Sequence, residues 1–370
     1  MPAPKRRILA VVFGLAVFLT LLLPYLRPHP VPRYTVTDLG VLPGDVESGA
    51  LAVNSAGVAV GYSLGPTQQA CVFKNGTIIK LSGLPGGSRS CARGINSQGE
   101  VTGDLNLGTA HHMFLYSLGK MHDLGTLPGF SDSEGLVIND RGEILGDVSQ
   151  ISSAGGAWRM TENAFLYSHS KMTNLTALPG MARSDARSIN AAGQIAGSVI
   201  GAPFLYDSRT KTKTALPLPP RAKWGHAYRI NDHGQVAGMV MMRDGTFHVV
   251  LWQGSQLSDL GTLPGDTFFR VRGLNNQGAV VGGGFSWDSP VKTFLQTHVP
   301  AGNALRRYLD RNTDRAFVSQ SGKLVDLNTL ISADADWALE AAYGINDRGQ
   351  VVGFGLHHGQ GRAFLLTPVR

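Results

Sequence analysis

The sequence predicts an all-β chain: a seven-bladed β-propeller of four-stranded repeats, closed by its own C-terminal strand and preceded by an N-terminal transmembrane helix. Three observations carry this. A short motif returns seven times at a nearly constant interval. Each interval holds enough apolar segments for four short strands. One long apolar run stands apart from the repeats, at the N-terminus.

That run comes first in the chain. Lys5-Arg6-Arg7 precedes an apolar stretch from Ile8 to Tyr25 that is broken only by Gly14, Thr20 and Pro24. At about 1.5 Å per residue the stretch nearly spans the ~30 Å hydrocarbon layer. A basic flank before such a stretch favours an inside N-terminus, with everything downstream exported. The expectation is a single-pass bacterial inner-membrane protein. Residues 1–33 form the anchor and a short proline-rich linker, and residues 34–370 stand in the periplasm or outside. The alternative is secretion after cleavage of a signal peptide. Leu26-Arg27-Pro28-His29-Pro30 weakens it, because no small-x-small site follows the apolar run.

The formal net charge of +7 is concentrated in the same place. Lys5, Arg6, Arg7, Arg27 and Arg33 have no acidic neighbour up to residue 33, and without them 28 basic residues face 26 acidic ones. The repeat domain is therefore close to neutral, which argues against a nucleic-acid partner. Glycine is abundant, at 47 residues, as short strands and tight turns require.

The repeated element is Asn-x-x-Gly followed by an apolar stretch. It occurs at Asn54/Gly57, Asn96/Gly99, Asn139/Gly142, Asn190/Gly193, Asn231/Gly234, Asn275/Gly278 and Asn346/Gly349. The steps are 42, 43, 51, 41, 44 and 71 residues, so the period is near 43 with one small and one large insertion. Each unit reads as four strands. The first resembles Asn163-Ala-Phe-Leu-Tyr167 and the second ends in Asp-Leu-Gly, as at Asp123 to Gly125. The third runs into the Ile-Asn pair, and the fourth is of the type Gln350-Val-Val-Gly353. That density is a propeller blade's. No long 3.6-periodic stretches point to a helical solenoid instead.

Turn chemistry agrees. Asn346-Asp-Arg-Gly349 suits a type I turn closed by a left-handed glycine, with the asparagine bonding the backbone two residues on. Leu-Pro-Gly recurs at Leu42, Leu84, Leu127, Leu178 and Leu263 between second and third strands. In the first strands Ala164 and Leu166 face one way and Phe165 and Tyr167 the other, so the strand is covered on both faces. The first unit lacks an Ala-Phe-Leu strand and the chain ends in a surplus one, Arg362 to Leu366. Pairing that strand with Tyr34 to Asp38 closes the ring and removes its edges. Cys71 and Cys91 fall on the first and third strands of one unit, about 9.5 Å apart, beyond disulfide reach.

The Ala-Phe-Leu strand, Asp-Leu-Gly-Thr-Leu-x-Gly and Ile-Asn-x-x-Gly-Gln-Val-Val-Gly together resemble the HAF-repeat extracellular proteins. The likeness covers residues 34–370, although no literal His-Ala-Phe triplet is present and His111-His112-Met113-Phe114 comes nearest. The resemblance implies an exported bacterial-type repeat protein and supplies no activity, catalytic residue or cofactor.

Function is sought on one face. The tight 1–2 turns and the Asn-x-x-Gly turns share one face. The Leu-Pro-Gly loops share the other with two insertions, at about 149–162 and 286–314. Variable loops on a rigid scaffold are where binding resides. Two residues before each Ile-Asn position stand Leu51, Arg93, Leu136, Arg187, Tyr228, Arg272 and Tyr343. Four residues before it stand Gly49, Cys91, Glu134, Asp185, His226, Arg270 and Ala341. From these, Arg93, Arg187, Tyr228, Arg272, Tyr343, Glu134, Asp185 and His226 are the candidate ligand-binding residues, polar groups on a frame of small neighbours. The bland alternative is solvated strand ends with local ion pairs. A helix from about Gly302 to Arg311 is expected in the larger insertion, as a channel cap or a flap.

Nucleophile-elbow, Walker and zinc-protease motifs are all absent from the sequence. Adjacent histidines on a strand point to opposite faces, so His111-His112 is a poor metal chelate. The expectation is a monomeric binding module for a glycan, peptide or protein, without cofactor or metal and touching the membrane only through its N-terminal helix. The alternatives are a polysaccharide lyase or hydrolase, and a structural or adhesive surface protein.

Overall fold

Short β-prone runs cut by glycine turns pair into seven sheets of four antiparallel strands. The computed structural model describes residues 33–81, 83–154, 157–178, 180–285 and 314–369. The expected anchor from Ile8 to Tyr25 and the expected helix from Gly302 to Arg311 lie outside the described residues. Among the described residues no helix is long and apolar enough to cross a membrane.

The sheets stand radially around a channel. Their innermost strands are Glu47–Val53, Gly87–Ile95, Asp132–Ile138, Ser184–Ile189, Ala222–Ile230, Phe268–Leu274 and Trp337–Ile345, which open blades one to seven. Blade seven closes the ring. Its third strand, Gln360–Pro368, pairs with Tyr34–Asp38, setting Val36 opposite Leu366 and Asp38 opposite Phe364. This is the pairing that the missing strand at one end and the surplus one at the other predict.

The phase of the repeat differs from the sequence reading. The Ala-Phe-Leu strand is third in its blade rather than first, and the strand entering Ile-Asn opens the next blade. Five of the seven crossings between sheets are the Leu-Pro-Gly loops, where proline has no N–H to continue a ladder. Cys71 therefore lies on the third strand of blade one and Cys91 on the innermost strand of blade two. Both are buried free thiols, unbridged as expected but not because they share a sheet. The expected loop at 149–162 is also different. It continues a hairpin of Ile144–Ala154 and Ala157–Ser168, with Ser149 opposite Glu162.

The core lies between blades rather than within one. Val281, Ala316 and Val318 of blade six pack on Leu339, Val351 and Phe364 of blade seven. Ala164 and Phe165, on opposite faces of one strand, are both buried. The Asp of Asp-Leu-Gly accepts the N–H of the glycine two residues on at Asp38, Asp123 and Asp259, at 2.7–2.8 Å. The same carboxylates meet His357, His112 and His248 at 2.8–3.0 Å, which ties the outer strand to an inner neighbour.

Candidate functional site

The channel has two ends built on different rules. At one end the seven repeat asparagines form a closed ring. The Nδ2 of each donates to the backbone carbonyl of the next, from Asn54 round to Asn346 and back to Asn54, at 2.9–3.3 Å. In blades two to five and seven a Glu or Gln four residues on takes the other Nδ2 hydrogen, at 2.7–2.9 Å. Oδ1 accepts backbone N–H groups of its own turn, as at His233 and Gln235 for Asn231. The turn glycines take φ between 72° and 84°, the left-handed region that the motif requires. The asparagines are buried with their hydrogen bonds made, so this end is a structural clasp.

Toward the loop-rich face, every innermost strand carries a β-bulge. The pairing skips from Ala50 to Ala52, Ala92 to Gly94, Gly135 to Val137, Ala186 to Ser188, Ala227 to Arg229, Val271 to Gly273 and Ala342 to Gly344. The skipped residues are Leu51, Arg93, Leu136, Arg187, Tyr228, Arg272 and Tyr343, the variable series of the sequence. A bulge bends its strand and re-aims the extra side chain, and six of these seven line one cavity of about 180 Å³. The bulge also explains the glycine of Gln-Val-Val-Gly. A Cβ at Gly353 would lie 2.0 Å from the carbonyl oxygen of Ala341, and one at Gly282 would lie 2.0 Å from that of Arg270.

The candidate residues meet in pairs, some within a blade and some across blades. Arg93 Nε donates to Asp104 at 2.5 Å, and its guanidinium reaches Glu134 at 3.3 Å. Burial opposes its charge, yet Asp104 and Glu134 outweigh this and hold its pKa above the ordinary value. Arg187 repeats the arrangement with Asp185 at 2.5 Å and Asp147 at 3.7 Å. Asp147 is pushed up to about 7, by burial first, against the pull of Arg187 and with the help of Asp185, Glu162 and Glu134. His226 stacks on Tyr228 with centroids 5.9 Å apart, and burial pushes its pKa down. Arg272 lies over the Tyr343 ring at 4.4 Å.

All eight candidates thus sit on the inner strands at the loop-rich half of the channel. Three participants were missed. Asp104 and Asp147 lie on second strands, directly after the repeat glycines Gly103 and Gly146, in an aligned column that also holds Tyr62, Ser198, Met239, Gly283 and Phe354. Arg229 follows the bulge, and its guanidinium donates to the carbonyls of Arg272 at 2.6 Å and Tyr228 at 2.8 Å. A signal for it existed: the aligned residues are Ala52, Gly94, Val137, Ser188, Gly273 and Gly344, and Arg229 alone breaks that column.

Known structures share this shape. The chain matches YCF48 bound to D1 peptide at a TM-score of 0.50 and 10% identity, over 92% of this chain and 96% of that one. It matches an oligogalacturonate lyase in complex with manganese at 0.56 and 9%, over 92% and 95%. The extracellular domain of a hybrid two-component system from B. thetaiotaomicron follows at 0.52 and 10%, with 90% of this chain but only 39% of that one covered. The class is therefore the β-propeller, whose members here include a peptide-bound protein and an enzyme. No protein-family model and no curated protein matches the chain.

Proposed function

We propose that the chain is an exported, membrane-tethered repeat protein of the HAF type whose propeller is a ligand- or protein-binding module. The observation that supports this is the set of seven bulges, which aim a varied group of side chains into one channel on the loop-rich face. A ring needed only for stability has no use for such a mixture of leucine, arginine and tyrosine at one repeated position. The ligand is a peptide, protein or glycan segment entering from that face. Arg33 donates to Gln320 at 2.8 Å on the face of the tight turns. A linker through Pro28, Pro30 and Pro32 then leaves from the far side and holds the site away from the bilayer.

The test is a thermal-shift screen of peptides and glycans, followed by Arg187→Gln combined with Tyr228→Ala. Loss of binding with the fold retained by circular dichroism supports the reading, and undiminished binding overturns it. A tag within 286–314 is expected to be reached by antibody on spheroplasts, and protection by the bilayer would reverse the orientation. One observation favours a second reading, a polysaccharide lyase. Asp147, pushed up to about 7 by burial, has the proton affinity of a general base in a channel where Arg229 and Arg272 can face a uronate. Ultraviolet absorbance of an unsaturated product from uronate polymers would select that reading.

A further inference from the structure

Four arginines converge in the channel, and among the described residues only two are neutralised by carboxylates. Arg93 and Arg187 each hold two carboxylates. Arg229 and Arg272 have none within ion-pair distance among the described residues. Arg229 is held by carbonyls alone, those of Arg272, Tyr228 and Arg187. Arg272 is stacked on Tyr343, and its Nε is sealed from solvent without a hydrogen-bond partner. Asp314 acts on Arg272 only from a distance, while Arg270 repels it.

We propose that Arg229 and Arg272 form a receptor for a single oxyanion, carboxylate or phosphate, carried by the ligand of the propeller. The inference rests on the binding reading above and names the chemistry of that site. Two neighbouring guanidiniums with no anion are electrostatically unfavourable, and an anion between them turns repulsion into attraction. The guanidinium fork of Arg272, whose Nε is unpartnered, matches an oxyanion, whereas a lone ammonium supplies only a point charge. Arg229, with Nε and Nη1 already on carbonyls, adds its charge and its Nη2. The cavity of about 180 Å³ that both arginines line has room for such a group, and Leu51 and Leu136 give it apolar walls that limit screening. Burial, with Arg272 and Arg187 nearby, pulls the Arg229 guanidinium down to about 10, so it is still charged at neutral pH and in need of a counter-ion. Arg93 and Arg187, which also line the cavity, are already paired with Asp104, Glu134, Asp147 and Asp185, so neither is left free for a second negative charge. The ligand therefore carries one oxyanion on an otherwise neutral or cationic body.

The experiment uses isothermal titration and thermal shift on the full chain in low-chloride buffer, with sodium acetate and inorganic phosphate as probes. One of them is expected to bind one per chain and to raise the melting temperature, and which one does so distinguishes the carboxylate from the phosphate. Arg272→Gln should weaken that binding about ten- to a hundred-fold, the span of a lost charge-assisted hydrogen bond. Without anion the same variant should melt no lower than the parent, since it removes an uncompensated charge. Arg272→Lys keeps the charge without the fork and should fall between the two, which preserves the test if the glutamine variant misfolds. The proposal is overturned if neither anion binds the parent chain, or if Arg272→Gln binds as the parent does. A peptide or glycan that still binds in an Arg187-dependent way, with no anion bound, would remove this inference and leave the binding reading standing.

Discussion

The two ends of the channel are made by the same seven strands, a few residues apart, and obey opposite rules. At the turn end one residue type recurs seven times, and each Nδ2 is met by a carbonyl of the next blade. At the loop-rich end the bulged position holds two leucines, three arginines and two tyrosines, and its charges are only partly matched. Repetition of a side chain records a shared structural task. Variation at a position with a shared geometry shows that the fold does not dictate the side chain there. The bulge separates the two, because it lets one side chain per strand leave the ladder while the residues on either side stay paired.

The largest expected effect tests what the two ends have in common, the closed ring. Deleting residues 362–370 removes most of the strand that pairs with Tyr34–Asp38. It exposes the interface around Phe364 and Leu366, both buried. The chain should lose its cooperative melting transition altogether. A truncated protein that melts like the parent would show that the ring does not depend on its closing strand.

Next in size is a single break in the clasp. Asn231 donates to Asn275 and Gln235 and accepts from His233 and Gln235. Asn231→Ala leaves buried groups unpaired and should cost about 3 kcal/mol in urea unfolding. Tyr343→Leu at the other end loses its contact with Arg272 and should change stability by under about 1 kcal/mol. Equal costs at the two positions would dissolve the distinction between clasp and site.

Much of this was legible because it lies in local turns or in the count of repeated strands. The Asn-x-x-Gly turns, the faces they share and the pairing of the chain ends follow from spacing and from the conformations that glycine permits. The phase of the blade was not, since a four-strand period reads the same wherever it is cut and only the packing shows that Leu-Pro-Gly is the crossing point. The asparagine ring was visible as seven asparagines but not as a ring, because its bonds span 41 to 71 residues in the linear chain and 292 at the closure. The bulges leave no mark in composition, so Arg93 and Arg272 were found by alignment of the repeats without the reason they project. Arg229 was overlooked because it precedes an Ile-Asn pair, where the motif invites attention to the asparagine.

The smallest expected effect concerns protons and again divides the two ends. Asp140, Asp232 and Asp347 at the turn end are exposed, and each accepts a backbone N–H from the neighbouring turn at 2.7–2.9 Å. Asp147 at the other end pairs across the strand with Glu134, a like charge opposite a like charge. Burial, with Asp185, Glu162 and Glu134, raises it to about 7 despite Arg187. Its folded pKa is above its unfolded one, so between about pH 4 and pH 7 the native state holds a proton that the unfolded chain has released. Stability from this residue is therefore greatest at the acidic end of that window and falls as the pH rises through it. The parent chain should melt on the order of 2 °C lower at pH 8 than at pH 5.5 on this account. Asp147→Asn keeps the shape, removes the titration and should flatten the profile over that range, with Arg187 still held by Asp185. Parallel profiles for the two proteins would mean that Asp147 ionises like an exposed carboxylate, and the channel mouth would then be as well matched in charge as the clasp is in hydrogen bonds.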